Sequence, residues 1–231
     1  MTQDAFRPTA RTRPIDLTTV AITVGAAAIS YGVAIALLTT IRVDSATAGV
    51  AQYLVSGLAP IIAVATVHLV RVRSVRALGF RGVSWRWISV AVGGGIGAIV
   101  LSIVVTVVVV LLSGPPSGVQ ADYTSASSNG PMWLVLTLLA GAVLTPLGEE
   151  LLFRGVLTNG LLRYGGWVAV LVSAAIFAVS HGVNYVLPVA FVIGVITALL
   201  FRATASIWPG VVVHAIYNGY VILSSAFAAV A

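Results

Sequence analysis

The chain has 231 residues, 59% hydrophobic and only 8% charged, with a net charge of +6 from twelve arginines against six carboxylates. A soluble domain carries about 25% charged residues, so these few charges cannot coat a water-facing surface, and most of the exterior must face lipid. The absence of cysteine excludes disulfides and thiolate metal sites. The basic balance points to topology and anionic headgroups, not to nucleic acid, because the arginines lie at the ends of apolar runs.

A transmembrane helix needs about 20 mainly apolar residues. By that measure the fold class is all-α, a polytopic transmembrane bundle of about seven helices. Apolar runs predict them near 17–40, 47–70, 87–112, 131–163, 167–183, 185–202 and 206–229. Residues 1–16 form a tail with Arg7, Arg11 and Arg13. The run after it exceeds the 7–15 apolar residues of a signal peptide, so it is expected to stay as an anchored helix. Residues 17–130 make an N-terminal membrane region and 131–231 the expected catalytic core.

Two connections fix the expected orientation. Residues 71–86 hold Arg71, Arg73, Arg76, Arg81 and Arg86, whereas 113–130 are rich in Ser, Gly and Pro and hold no basic residue. Cytoplasmic connections carry the excess arginine. The N-terminus, the 71–86 loop, the turn at 163–166 and the turn after Arg202 are therefore assigned to the cytoplasm of a multi-pass cell-membrane protein. Only Arg42 falls outside, and an odd number of spans puts the C-terminus outside too. Trp85, Trp87, Trp133, Trp167 and Trp208 lie near predicted helix ends, as an interfacial aromatic belt requires. His68, beside Arg71, reads as interfacial. The Gly93–Gly97 spacing in the third helix serves close helix packing, not phosphate binding.

Ionisable side chains inside a span cost about 2.5–3.5 kcal/mol at its centre on translocon-type scales, and such residues tend to mark function. The fourth helix holds Glu149, Glu150 and Arg154, the fifth ends Phe177-Ala-Val-Ser-His181, and the seventh holds His214 and Asn218. Glu149 and His181 each lie 16 residues from Gly165. At 1.5 Å per residue, both stand about 24 Å above that turn. Counted from Ala205, Asn218 stands at about 20 Å and His214 at about 14 Å. Glu149, His181 and Asn218 are thus expected to share a layer, with His214 one turn nearer the cytoplasm.

Helical phase divides the two glutamates. Glu150 and Arg154 are four apart in the favourable order for an ion pair, which makes Glu150 architectural. Glu149 points about 100° away without a partner on its own helix. A carboxylate removed from water beside a histidine is a usable base near neutral pH. His214 and Asn218, also four apart, can donate hydrogen bonds to a developing oxyanion. Pro146 deletes a backbone bond just before the glutamates. With Gly148 it should loosen or kink the helix, to admit water or an extended peptide, or for packing alone.

Glu149-Glu150-x-x-x-Arg154, Phe177-x-x-x-His181 and His214-x-x-x-Asn218, in that order on successive hydrophobic helices, resemble the CPBP family. That family comprises the CAAX prenyl endopeptidases and the bacteriocin-processing or abortive-infection membrane proteins. The resemblance covers roughly residues 131–220, with Leu-Gly-Phe-Arg at 78–81 a weaker echo. It implies an intramembrane endopeptidase acting on a membrane peptide or protein, prenylated in eukaryotes and mostly other peptides in bacteria. Carried over, Glu149 activates water with help from His181, His214 and Asn218 bind the oxyanion, and Glu150 and Arg154 support them.

Glu149, His181 and His214 could also serve as a three-ligand zinc site with an open position. There is no His-Glu-x-x-His helix, so the reading favours glutamate-activated water with no obligatory cofactor. Two other functions compete. A non-catalytic scaffold or immunity factor would use the same groups as a structural polar network. A small transporter would use them as a proton relay, but no inverted repeat is present and the polar groups cluster in one half.

Overall fold

The computed structural model describes residues 15–114, 118 and 120–228, so the tail is outside the described residues apart from Ile15 and Asp16. Eight helices follow in order: α1 Leu17–Thr40, α2 Ser45–Val72, α3 Trp85–Ser113, α4 Ala121–Ser128, α5 Pro131–Tyr164, α6 Gly166–Ser180, α7 Leu187–Thr204 and α8 Trp208–Ala228. No strand occurs among the described residues. Among the described residues, six helices (α1, α2, α3, α5, α7 and α8) are long and apolar enough to cross a membrane. The outward faces carry large apolar side chains such as Ile29, Val100, Leu111 and Val179, each more than half exposed. In water that surface would be prohibitive; in hydrocarbon it is the solvated one.

Two of the expected elements differ from the structure. The Ser/Gly/Pro-rich stretch at 113–130 contains a short helix, α4, held against α2 by tertiary contacts. Gln52 Nε2 donates to Asp122 Oδ2 at 2.9 Å, and the rings of Tyr53 and Tyr123 lie 4.5 Å apart. The fifth predicted helix stops at Ser180, not 183. Gly182 takes φ +84°, the left-handed conformation that ends helices, and leaves His181 as the cap. At 15 residues, α6 is about 22 Å long, short of the ~30 Å hydrocarbon thickness.

Helix α5 is the axis of the bundle, and it is not uniform. Leu138–Leu144 and Leu151–Thr158 are π-helical and bracket the α-helical turn Thr145–Glu150. Pro146, which cannot donate to the preceding turn, sits directly after the first π segment. Gly148 packs backbone to backbone on Gly57 of α2, where any Cβ would strike the Gly57 carbonyl. The expected loosening is therefore a register change, and Gly148 serves helix packing.

The two ends of the bundle differ in charge. At one end the 73–84 loop is pinned to the α7–α8 turn: Ile207 N donates to Gly79 O at 3.0 Å and Ser206 Oγ to Arg81 O at 2.7 Å. Asn159 Nδ2 donates to Ala77 O at 2.7 Å, which ties α5 to the same loop. Arg71 reaches Asp16 at 3.7 Å, and Arg202 lies over Trp167 at 5.4 Å. This end gathers the arginines. The α1–α2 turn, α4 and the α6–α7 turn form the other end, where Arg42 is the only arginine among the described residues.

Candidate active site

The fourth, fifth and seventh predicted spans, now α5, α6 and α8, bring their ionisable groups to one place. Glu149 Oε2 lies 3.9 Å from His181 Nε2 and 3.8 Å from His214 Nε2. Glu149 is 5% exposed and His214 3%, while the His181 side chain keeps 28%. No protein group donates a hydrogen bond to Glu149 Oε2. His181 Nδ1 lies 2.8 Å from Phe177 O. A carbonyl can only accept, so Nδ1 carries the proton, and in the neutral ring Nε2 is left as the acceptor facing the carboxylate.

His214 is closer to Glu149 than the residue count suggests. The π segment Leu151–Thr158 lies between Glu149 and Gly165, and its wider i→i+5 turns advance less per residue than α-helical ones. That lowers Glu149 part of the way toward His214, and the reach of the two side chains closes the rest. Asn218 is the offset member: its Nδ2 donates to Gly141 O at 2.8 Å, leaving one amide hydrogen uncommitted. Asn218 still lines the same cavity as Glu149, His181 and His214.

Glu150 and Arg154 pair, with Oε2 and Nε 3.2 Å apart and both side chains sealed from solvent. The pair is not isolated from the site, since Glu150 Oε1 lies 3.4 Å from His214 Nδ1. His214 thus spans both carboxylates, one on each ring nitrogen. Arg154 is clamped from α7, with Nη2 donating to Gly194 O at 3.2 Å and to Thr197 Oγ1. Gly210 of α8 admits the Glu150 carboxylate, which a Cβ there would strike.

Sequence reasoning missed Thr197 and Gly210 and gave Phe177 no role beyond its motif. The Phe177 ring is the hub of the cluster. It lies 4.7 Å from the His181 ring and 5.7 Å from the His214 ring, and Arg154 Cζ stands 4.7 Å above it. Phe153 meets it edge-on at 4.9 Å. Thr197 left a faint signal, as a hydroxyl in the middle of an apolar helix. Gly210 left none that separates it from ordinary helix packing.

The three groups do not form a ready zinc site. Ligands bonded at about 2.0 Å to a tetrahedral ion stand about 3.3 Å apart, whereas Glu149 stands 3.8 and 3.9 Å from the two imidazoles. Among the described residues no cluster of three or more His, Asp or Glu is arranged to hold a metal ion.

Above these groups opens a cavity of about 1260 Å³. Glu149, Phe153, Phe177 and His214 line its depth, and Tyr31, Tyr53 and Tyr217 its walls. The N-terminal helices α1 and α2, which carry no site motif of their own, thus complete the enclosure.

Residues 131–220 match the family model described as Rce1-like, type II CAAX prenyl endopeptidase. The match covers less than half of the chain but contains all six ionisable or amide groups described above. No curated protein and no solved structure matches the chain. The segment from α5 into α8 is thus similar to the type II CAAX prenyl endopeptidases, the resemblance its motifs carry.

Proposed function

We propose that the chain is an intramembrane endopeptidase that hydrolyses a peptide bond in a membrane-associated peptide or protein by glutamate- and histidine-activated water. The observation that carries the reading is the convergence of Glu149, His181 and His214 at the foot of a large cavity, within the family-matched segment. A separation of 3.9 Å between Glu149 Oε2 and His181 Nε2 is too long for a direct hydrogen bond and suits a shared water. Glu149 takes the proton of that water as it attacks the scissile carbonyl, with His181 orienting it. The oxyanion is met by His214 and by the uncommitted amide hydrogen of Asn218. The proton then passes to the leaving amine, and no acyl-enzyme forms. Glu150 and Arg154 hold His214 in place from behind. The protein would sit in the cell membrane with its N-terminus in the cytoplasm.

The test is a comparison of membrane peptidomes from cells carrying the wild-type chain and Glu149→Ala or His181→Ala variants, with protein levels matched. Cleavage products present with the wild type should vanish with either variant. Identical peptidomes would refute the proteolytic reading.

A further inference from the structure

Among the described residues, the cavity lining reaches the arginine-poor end of the bundle and not the arginine-rich one. Its mouth is built from Ile41, Arg42 and Val43 of the α1–α2 turn, Asp122 of α4, and Tyr185 and Val186 of the α6–α7 turn. No residue of the 73–84 loop, the α5–α6 junction or the α7–α8 turn lines it. At the arginine-rich end the passage is plugged by side chains: Leu78, Leu152, Val156, Phe201 and Ile207 are all buried there in one apolar cluster. The cavity therefore leads from Glu149, His181 and His214 toward the aqueous face at the arginine-poor end.

The charge distribution says which face. Among the described residues, Arg71, Arg73, Arg76, Arg81, Arg86, Arg163 and Arg202 lie at the plugged end and Arg42 alone at the mouth. Arginine excess in short connections is retained on the cytoplasmic side during insertion. Two of the acidic residues, Asp44 and Asp122, lie at the mouth end, and carboxylates are little constrained by that rule.

We infer that the site opens to the extracytoplasmic face, so that the substrate is a polypeptide segment reaching the membrane from outside the cytoplasm: an exported peptide or the outer end of a membrane protein's span. As an assignment of substrate class, this rests on the proteolytic reading. The side of access does not, and it can be read without any cleavage.

The native chain has no cysteine, so single-cysteine variants report position without a background. Val43→Cys and Val183→Cys probe the mouth end, where the native side chains are 39% and 89% exposed. Val75→Cys and Gly82→Cys probe the plugged end; Val75 is 54% exposed and a Cβ at Gly82 meets nothing within 4 Å. Two positions at each end guard against one variant failing to fold. Intact cells are treated with a membrane-impermeant sulfonated maleimide, then compared with permeabilised cells. The expected result is labelling of positions 43 and 183 in intact cells, and of 75 and 82 only after permeabilisation. The reverse pattern overturns the inference and puts the cavity on the cytoplasm, and equal labelling of both ends overturns it as dual insertion. Failure to label 43 and 183 even after permeabilisation overturns it as a closed mouth. Reversed labelling together with lost cleavage in Glu149→Ala would keep the protease and reject only the side, whereas the expected labelling with unchanged peptidomes would reject only the protease.

Discussion

Glu149 and Glu150 are consecutive residues with different surroundings, and the difference lies in what faces each carboxylate. Glu150 is fully sealed between Arg154, His214 and the Gly210 backbone. Removing one partner of such a pair leaves an uncompensated buried charge, which costs about 3–5 kcal/mol. Arg154→Met should therefore lower the thermal unfolding temperature of the purified protein sharply. Replacing the pair together, as Glu150→Leu with Arg154→Met, should recover most of that stability, because well-packed apolar pairs are often no less stable. Cleavage should not return with it, since His214 Nδ1 then loses the carboxylate 3.4 Å away. Recovery of both would reduce Glu150 to a structural role. The spacing around Glu149 leads to a second expectation: cleavage should survive exhaustive dialysis against a zinc chelator. Loss reversed by added zinc would instead put an ion on Glu149, His181 and His214.

Among the elements, α5 departs furthest from a uniform helix. Its two π segments change the register on either side of the glutamates, and π turns recur at functional positions because they re-aim side chains at modest cost. The close crossing of α5 on α2 at Gly148 and Gly57 holds that geometry. Gly148→Ala should separate the two helices at a cost of about 1–3 kcal/mol, visible as a fall in unfolding temperature and in cleavage together. At the other extreme, α1 begins with a simple cap. Asp16 Oδ1 accepts from Thr19 N and Thr19 Oγ1, both at 2.7 Å. The bond from the Thr19 side chain, then that from its backbone, holds the Asp16 carboxyl below its ordinary 3.8. A lowered folded value means stability that is complete above the unfolded pKa and lost as pH falls through the folded one. Asp16→Ala should cost about 1 kcal/mol near neutrality. That difference should shrink as the pH is taken below about 4, read as the gap in unfolding temperature between variant and wild type.

Across the whole molecule, the bundle is divided into a packed, arginine-rich end and an open, arginine-poor end. The site lies at the boundary between them. With α6 spanning only 15 residues, its end at His181 falls beside the cavity, where a longer helix would carry the histidine past it. If the short α6 crosses together with the six long apolar helices, seven crossings place the two termini on opposite faces. A fluorescent reporter that folds only in the cytoplasm should therefore be bright at the N-terminus and dark when appended after Ala231. Equal brightness at both ends would mean an even number of crossings, with α6 re-entrant.

The membrane class, the helix positions and the identities of the clustered residues were legible in the sequence. They depend on local quantities: length of an apolar run, the cost of an ion in lipid, and the four-residue spacing of Glu150 with Arg154 or His214 with Asn218. Contacts between distant segments were not legible. That His214 bridges both glutamates, that Thr197 clamps Arg154, that α4 folds on α2 and that Phe177 packs edge-on or tilted against both histidines were decided by helices meeting. The depth estimate assumed α-helical rise throughout, and the π segment of α5 shortens it. Composition established that these polar groups had to be buried together; only packing decided which atom faces which, and from which side the cavity is reached.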